Sequence, residues 1–176
     1  MRILLTGFFV FTAMIAGAQD KLVPGENAVE NKWIKAADYT MKWYAIKDTS
    51  KFEIGSVLMQ IETDKNSLTA ITQVIMKNAR MKWIDSTVAD LKTLSPKYHS
   101  SYNGQRDMVL NFGKIVTGYY NDKVKNKFTS VSDTTGENYF DSNLYPLLIG
   151  WLPLKEGYKK DIAIYDYNPE GKMGVV

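Results

Sequence analysis

Hydrophobic and polar residues alternate with a period of two through most of the chain, which predicts β-strands separated by short turns. The predicted strands cover residues 38–47, 52–61, 67–76, 82–89, 97–102, 106–112, 114–120 and 160–167. Gly55 interrupts the second of these strands and predicts a β-bulge there. Strands that follow one another about every ten residues are typical of an antiparallel meander, and we expect this sheet to curl.

One stretch of the chain departs from this alternation. Its apolar residues recur at the i, i+3, i+4 and i+7 positions of a helix face: Leu144, Leu147, Leu148 and Trp151. Proline is tolerated only in the first turn of a helix, so the position of Pro146 predicts Asn143 as the N-cap. Pro153 disfavours helical geometry at Leu152, so we expect a helix from Leu144 to about Trp151.

A helix this short is not stable alone, and it must be held by burial. The predicted fold is therefore mainly β (α+β): a curled antiparallel sheet or half-barrel with a short helix packed on the concave side. The helix either fills the core or lines a cavity for an apolar ligand, and both interpretations stay open. In the second, the ligand-lining residues would be Trp43, Leu144, Leu147, Leu148 and Trp151.

The N-terminus has the features of a secretory signal peptide. A cationic start (Met1-Arg2) precedes an apolar run over residues 3–15, and Ala16-Gly17-Ala18 supplies an A-x-A cleavage pattern. The apolar run is shorter than the ~20 residues that a membrane-spanning helix needs. We therefore predict a signal peptide over residues 1–18 and an exported protein, periplasmic or associated with the cell envelope.

The mature chain is predicted to contain a lead-in segment over residues 19–37 and one domain over residues 38–176. A turn at residues 168–171 is followed by only the beginning of a return strand. We expect further strands in the natural protein, so that this domain is truncated at its C-terminus.

Composition narrows the chemistry that the chain can carry. The 176 residues have a formal charge of +3, which does not point to a nucleic acid. With no cysteine and one histidine, the chain has no thiol nucleophile and no zinc site that requires two histidines. His99 lies beside Ser100 and Ser101, but the chain has no Gly-x-Ser-x-Gly motif, and we expect a packed or surface histidine. We assign no catalytic, cofactor-binding or metal-binding residue, and expect no cofactor.

Several segments together resemble a family of exported bacterial proteins of unknown function. They lie at residues 83–96, 98–103, 116–119, 140–143 and 152–158, the last reading Leu-Pro-Leu-Lys-Glu-Gly-Tyr. The fold of that family is similar to the lipoprotein-carrier (LolA-like) half-barrel. The resemblance covers about residues 38–171, and it implies a lipid or acyl chain bound in the concavity. It supplies no catalytic residues.

The sequence thus favours a non-catalytic binding module for a lipid or other apolar ligand. We expect no membrane-spanning segment in the mature protein, although peripheral association with the envelope fits the prediction. A structural or interaction protein of the envelope with a solid core is the alternative. A third hypothesis is a cofactor-free enzyme that uses tyrosine, aspartate or His99.

Overall fold

The computed structural model describes residues 21–25, 28–78, 82–135 and 138–169. The predicted signal peptide (residues 1–18) lies outside the described residues, as do residues 170–176 of the predicted terminal turn and return strand. In chain order the strands are β1 (Lys21–Leu22), β2 (Ala37–Lys47), β3 (Ser50–Thr63), β4 (Ser67–Met76), β5 (Trp83–Asp90), β6 (Pro96–Tyr102), β7 (Arg106–Asn111), β8 (Val116–Asp122), β9 (Lys127–Asp133), β10 (Phe140–Asp141), β11 (Asp161–Ile162) and β12 (Ile164–Tyr165).

Strands β2 to β9 form one eight-stranded antiparallel sheet in which each strand pairs with its neighbour in sequence. The sheet is not closed, because β2 and β9 are its two edges. The mainly β, antiparallel class predicted from the alternation is therefore confirmed. Seven of the eight strands lie where the alternation predicts them, and β9 was not predicted.

The stretch predicted as one strand over residues 160–167 forms two shorter segments instead. Ile162 of β11 pairs in parallel with Leu22 of β1, whereas Ile164 of β12 pairs in parallel with Phe140 of β10. The chain changes partner at Ala163, whose N–H donates to the carbonyl of Leu22 and whose carbonyl accepts from Phe140. This change of partner prevents one continuous ladder.

The bulge predicted at Gly55 is present. Trp43 pairs with Gly55 and Tyr44 with Glu53, so Ile54 is the extra residue on β3. A Cβ atom at position 55 would lie 2.6 Å from the carbonyl oxygen of Ile75 on the neighbouring strand. Glycine is required here because the backbones approach too closely for a side chain.

The predicted helix forms as a 3₁₀ turn (Ser142–Leu144) followed by α1 (Tyr145–Trp151). Pro146 lies in the first turn of α1, and Leu152 is extended before Pro153, as expected. The prediction of Asn143 as the N-cap is wrong, since neither helix start has a side-chain cap. The Asn143 amide instead donates to the hydroxyl of Thr87 on β5, at 3.1 Å.

The helix and the short strands pack on one face of the sheet, here called the core face. The main core joins sheet residues such as Leu68 and Ala89 to Leu144, Leu148 and Trp151. A second cluster lies over β7 to β9, and a third lies over β3 and β4. The predicted lead-in segment contributes to the main core, in which Val29 is buried.

Candidate functional site

Two neighbouring strands turn polar residues toward the core face. In the pairing of β5 with β6, Thr87 lies opposite His99 and Asp85 lies opposite Ser101. Because side chains alternate along a strand, all four lie on the same face as Ala89 of the main core. Thr87, His99 and Ser101 are buried, whereas Asp85 is half-buried. A polar patch therefore lies within an otherwise apolar face.

Asp141, the last residue of β10, closes over this patch. Both of its carboxylate oxygens lie 2.8 Å from His99 Nδ1, and the Thr87 hydroxyl donates to Oδ2. Thr87 in turn accepts from Asn143. These four residues, called here the His99 network, connect the segment that leads into α1 to the middle of the sheet.

The charges around His99 favour its protonated form. Burial lowers the pKa of His99, because a buried imidazolium loses its hydration. The charge and hydrogen bond of Asp141, together with the charge of Asp85, act in the opposite direction and outweigh burial and the repulsion from Arg106. The pKa of His99 is therefore raised above its ordinary value of 6.5.

Two buried polar atoms in this region have no hydrogen-bond partner within the described part of the chain. They are Nε2 of His99 and Oδ1 of Asp85. Nearby, Arg106 Nε donates to the hydroxyl of Ser101 at 3.3 Å. Buried polar atoms are nearly always satisfied, so an unpaired donor or acceptor here has to be explained.

The His99–Asp141 arrangement orients an imidazole as in nucleophilic hydrolases, but a nucleophile on Nε2 is also needed. No hydroxyl of the described residues is hydrogen-bonded to Nε2. The sequence predicted a packed or a surface histidine. His99 is only 3% exposed, so it is a packed histidine. Among the described residues no group of three or more histidines and carboxylates could hold a metal ion.

The five predicted ligand-lining residues occupy three different environments. Leu144, Leu148 and Trp151 are buried in the main core. Leu147 is half-buried and packs against both the main core and the third cluster. Trp43 lies on edge strand β2 and is 41% exposed. Their role in ligand binding stays a prediction, and only Leu147 and Trp43 lie outside the fully buried core.

Beyond the third cluster the core face carries large apolar side chains that stay exposed. Met41, Val57, Val74 and Trp83 occupy consecutive strands at matching register positions and form one row across β2 to β5. The inner members of this row are buried, but Met41 is 44% and Trp83 is 39% exposed. Tyr39 and Trp43 flank Met41 on the same side of β2 and are also exposed. We call Tyr39, Met41, Trp43 and Trp83 the uncovered apolar surface.

Comparison with known proteins identifies the family. Residues 38–176 match the family model DUF3108, described as a protein of unknown function. The chain belongs to the DUF3108 family. The matched region contains the whole His99 network and the uncovered apolar surface. No curated protein and no solved structure matches the chain.

For this DUF3108 chain, the predicted membership of an uncharacterised family is confirmed, and the likeness to lipoprotein carriers stays a prediction. Within the described residues, no helix has the length and apolar character needed to cross a membrane.

Sequence reasoning missed most of the polar site in this DUF3108 chain. Asn143 was predicted only as a helix cap, and neither alternation nor spacing assigned Asp85, Thr87 or Asp141 to a site. Hydropathy does not identify the buried face of β5. The more apolar residues Ile84 and Val88 lie on the face opposite the buried Thr87. The available signal was the single histidine in a serine-rich strand.

Proposed function

We propose that this protein is a non-catalytic binding module for an elongated apolar ligand, which lies along the uncovered apolar surface. The observation that carries this proposal is the alternation along β2. Before the bulge, one side of this strand carries Tyr39, Met41 and Trp43, while Thr40 and Lys42 lie on the other. Such an amphipathic strand normally turns its apolar side into a core.

The position of this surface indicates a ligand-binding site rather than an incidental apolar patch. It continues the core face directly, because Tyr39 pairs with the buried Met59 and Met41 pairs with the buried Val57. Leu147 of α1 reaches the same cluster from above the sheet. An apolar chain laid on this surface would thus contact the sheet on one side and the helix at one end. Exposed apolar patches that extend a core are typical of binding sites.

We further infer that the sheet curls into the half-barrel predicted from the sequence. Eight twisted antiparallel strands with their packed residues on one face support this shape. The uncovered apolar surface would then lie on the concave side, beside the helix. Export to the periplasm or the cell envelope is part of the proposal and is supported by residues 1–18. The intact mass of the mature protein tests export, because cleavage after Ala18 predicts a chain that begins at Gln19.

Ligand binding is tested by titrating the purified protein with an environment-sensitive fluorescent fatty acid. Replacing Trp43 by Ser should weaken binding about tenfold, because the apolar contact of a half-exposed tryptophan is lost. Tyr44→Ser is the matched control. Tyr44 is the next residue on the same strand, lies on the other side and is 40% exposed against 41% for Trp43.

Equal loss of affinity in the two variants would place the fatty acid elsewhere. Absence of saturable binding, together with no lipid in native mass spectra, would reject the proposal. That result would favour the second candidate, an envelope interaction protein with a solid core. The complete burial of Leu144 and Leu148 supports this candidate.

A further inference from the structure

The uncovered apolar surface adjoins the strand positions that carry the two unpartnered polar atoms. Trp83, Asp85 and Thr87 follow one another on the core face of β5. The register row that contains Asp85 also contains Tyr39, Met59 and Thr72 and lies next to the row of Met41 and Trp83. Trp83, the exposed residue at one end of the apolar row, therefore lies next to Asp85.

Asp85 is half-buried and is the most exposed member of the polar patch. His99 and Asp141 are almost completely buried, but Asp85 lies between them and the exposed Trp83. The Oδ1 atom of Asp85 and the Nε2 atom of His99 are both buried, and neither has a hydrogen-bond partner among the described residues. Both atoms belong to the same end of the core face, because Asp85 and His99 are diagonal neighbours across β5 and β6.

The hydrogen-bonding character of both atoms follows from their neighbours. An ionised carboxylate only accepts hydrogen bonds, so His99 Nδ1 carries the hydrogen that it donates to Asp141. The surrounding charged groups are the carboxylates of Asp85 and Asp141 and the guanidinium of Arg106. A protonated His99 balances these charges, and its raised pKa agrees with this state. Nε2–H is then a donor, and Asp85 Oδ1 is an acceptor.

We propose that a ligand hydroxyl group binds between these two atoms, accepting a hydrogen bond from His99 Nε2 and donating one to Asp85 Oδ1. A hydroxyl is both a donor and an acceptor, whereas an ether oxygen only accepts and an ionised carboxylate only accepts. The preferred ligand is therefore an apolar chain that ends in a hydroxyl group, such as a long-chain alcohol. This inference rests on the proposed function, because the apolar surface has to bind the chain.

The test compares 1-dodecanol with its methyl ether as competitors of the fluorescent fatty acid. The two competitors share the same chain, and only the alcohol can donate to Asp85. The wild-type protein should prefer the alcohol about tenfold, which corresponds to one net hydrogen bond. Asp85→Leu should abolish this preference. Asp107→Leu should keep it, because Asp107 lies on the other face of β7, where it pairs with Lys123.

A second measurement needs no variant. The affinities for the alcohol and for the ether should both decrease as pH rises and His99 loses its Nε2 proton, because both oxygens accept from Nε2–H, whereas the preference for the alcohol, which depends on donation to Asp85, should remain. Equal affinity for both competitors in the wild type would overturn the hydroxyl site and leave the proposed function standing, with water on the two atoms. A preference that survives in Asp85→Leu would overturn the assignment to Asp85. Failure of both competitors to bind would overturn the proposed function as well.

Discussion

The His99 network allows a direct test of what holds the segment before α1 on the sheet. Asp141→Asn keeps the shape of the side chain, but it removes the charge and replaces one carboxylate oxygen by an NH₂ group, which cannot accept a hydrogen bond. The side chains of His99 and Asp141 are 4% and 1% exposed. Solvent therefore cannot replace the lost interaction.

The size of the effect follows from this burial. Removing one partner of a buried ion pair costs about 3–5 kcal/mol, because the other charge is left uncompensated. We expect the lower end, about 3 kcal/mol, since the asparagine oxygen retains one hydrogen bond. For a domain of this size that loss corresponds to a decrease in Tm of about 6–12 °C.

Urea unfolding followed by circular dichroism measures the change in the free energy of unfolding. The double variant Asp141→Asn/His99→Gln completes a double-mutant cycle. Its loss in unfolding free energy should be smaller than the sum of the losses in the two single variants. Asp107→Asn is the surface control, because its pair with Lys123 is partly exposed and should contribute less than about 1 kcal/mol. Two results would refute an energetic coupling between His99 and Asp141. One is that the losses in unfolding free energy of the two single variants add up in the double variant, and the other is that Asp141→Asn loses no more stability than Asp107→Asn.

Three further predictions concern stability. Because the pKa of His99 is raised in the folded protein, its stabilising contribution is fully present below pH 6.5 and is lost as pH rises through the folded-state pKa. The wild type should therefore lose stability relative to His99→Gln as pH is raised, as measured by urea midpoints. Leu148→Ala should cost about 2–5 kcal/mol in the same assay, whereas Leu154→Ala, at a side chain that is 58% exposed, should cost less than about 0.5 kcal/mol. Gly118→Ala should cost about 3 kcal/mol or more, because φ is +153° and a Cβ atom would lie 1.9 Å from the carbonyl oxygen of Val109.

Each of these predictions has a clear contrary result. A difference between wild type and His99→Gln that does not change with pH would mean that His99 has the same pKa in the folded and unfolded states. Similar losses at Leu148 and Leu154 would contradict the burial of the helix. A stable Gly118→Ala variant would contradict the close approach of β7 and β8.

Local patterns determined most of the secondary structure. Strands such as β4 and β5 follow from alternation, because a pleated strand places successive side chains on opposite faces. The position and end of α1 follow from the helical spacing of its leucines and from Pro146 and Pro153, which restrict the backbone locally. Its short length also made burial a requirement, and Leu148 is fully buried. The bulge at Gly55 follows from the same kind of local information.

Only the tertiary structure decided which groups meet. His99 and Asp141 are separated by 42 positions, and Thr87 and Asn143 by 56. Alternation predicts that Asp85 and Thr87 share a face but not that this face is the core, because the opposite face carries the more apolar Ile84 and Val88. The segment at residues 160–167 likewise takes its short parallel pairings from β1 and β10, which are distant in sequence.

The exposure of the uncovered apolar surface was also decided only by the tertiary structure. The sequence shows that Tyr39, Met41 and Trp43 lie on one side of a strand, and it predicts burial for that side. Their exposure arises because β2 is an edge of the sheet and extends beyond the part of the core face that α1 and β10 to β12 cover. Periodicity reports which residues share a face, whereas the extent of the cover depends on how distant segments pack.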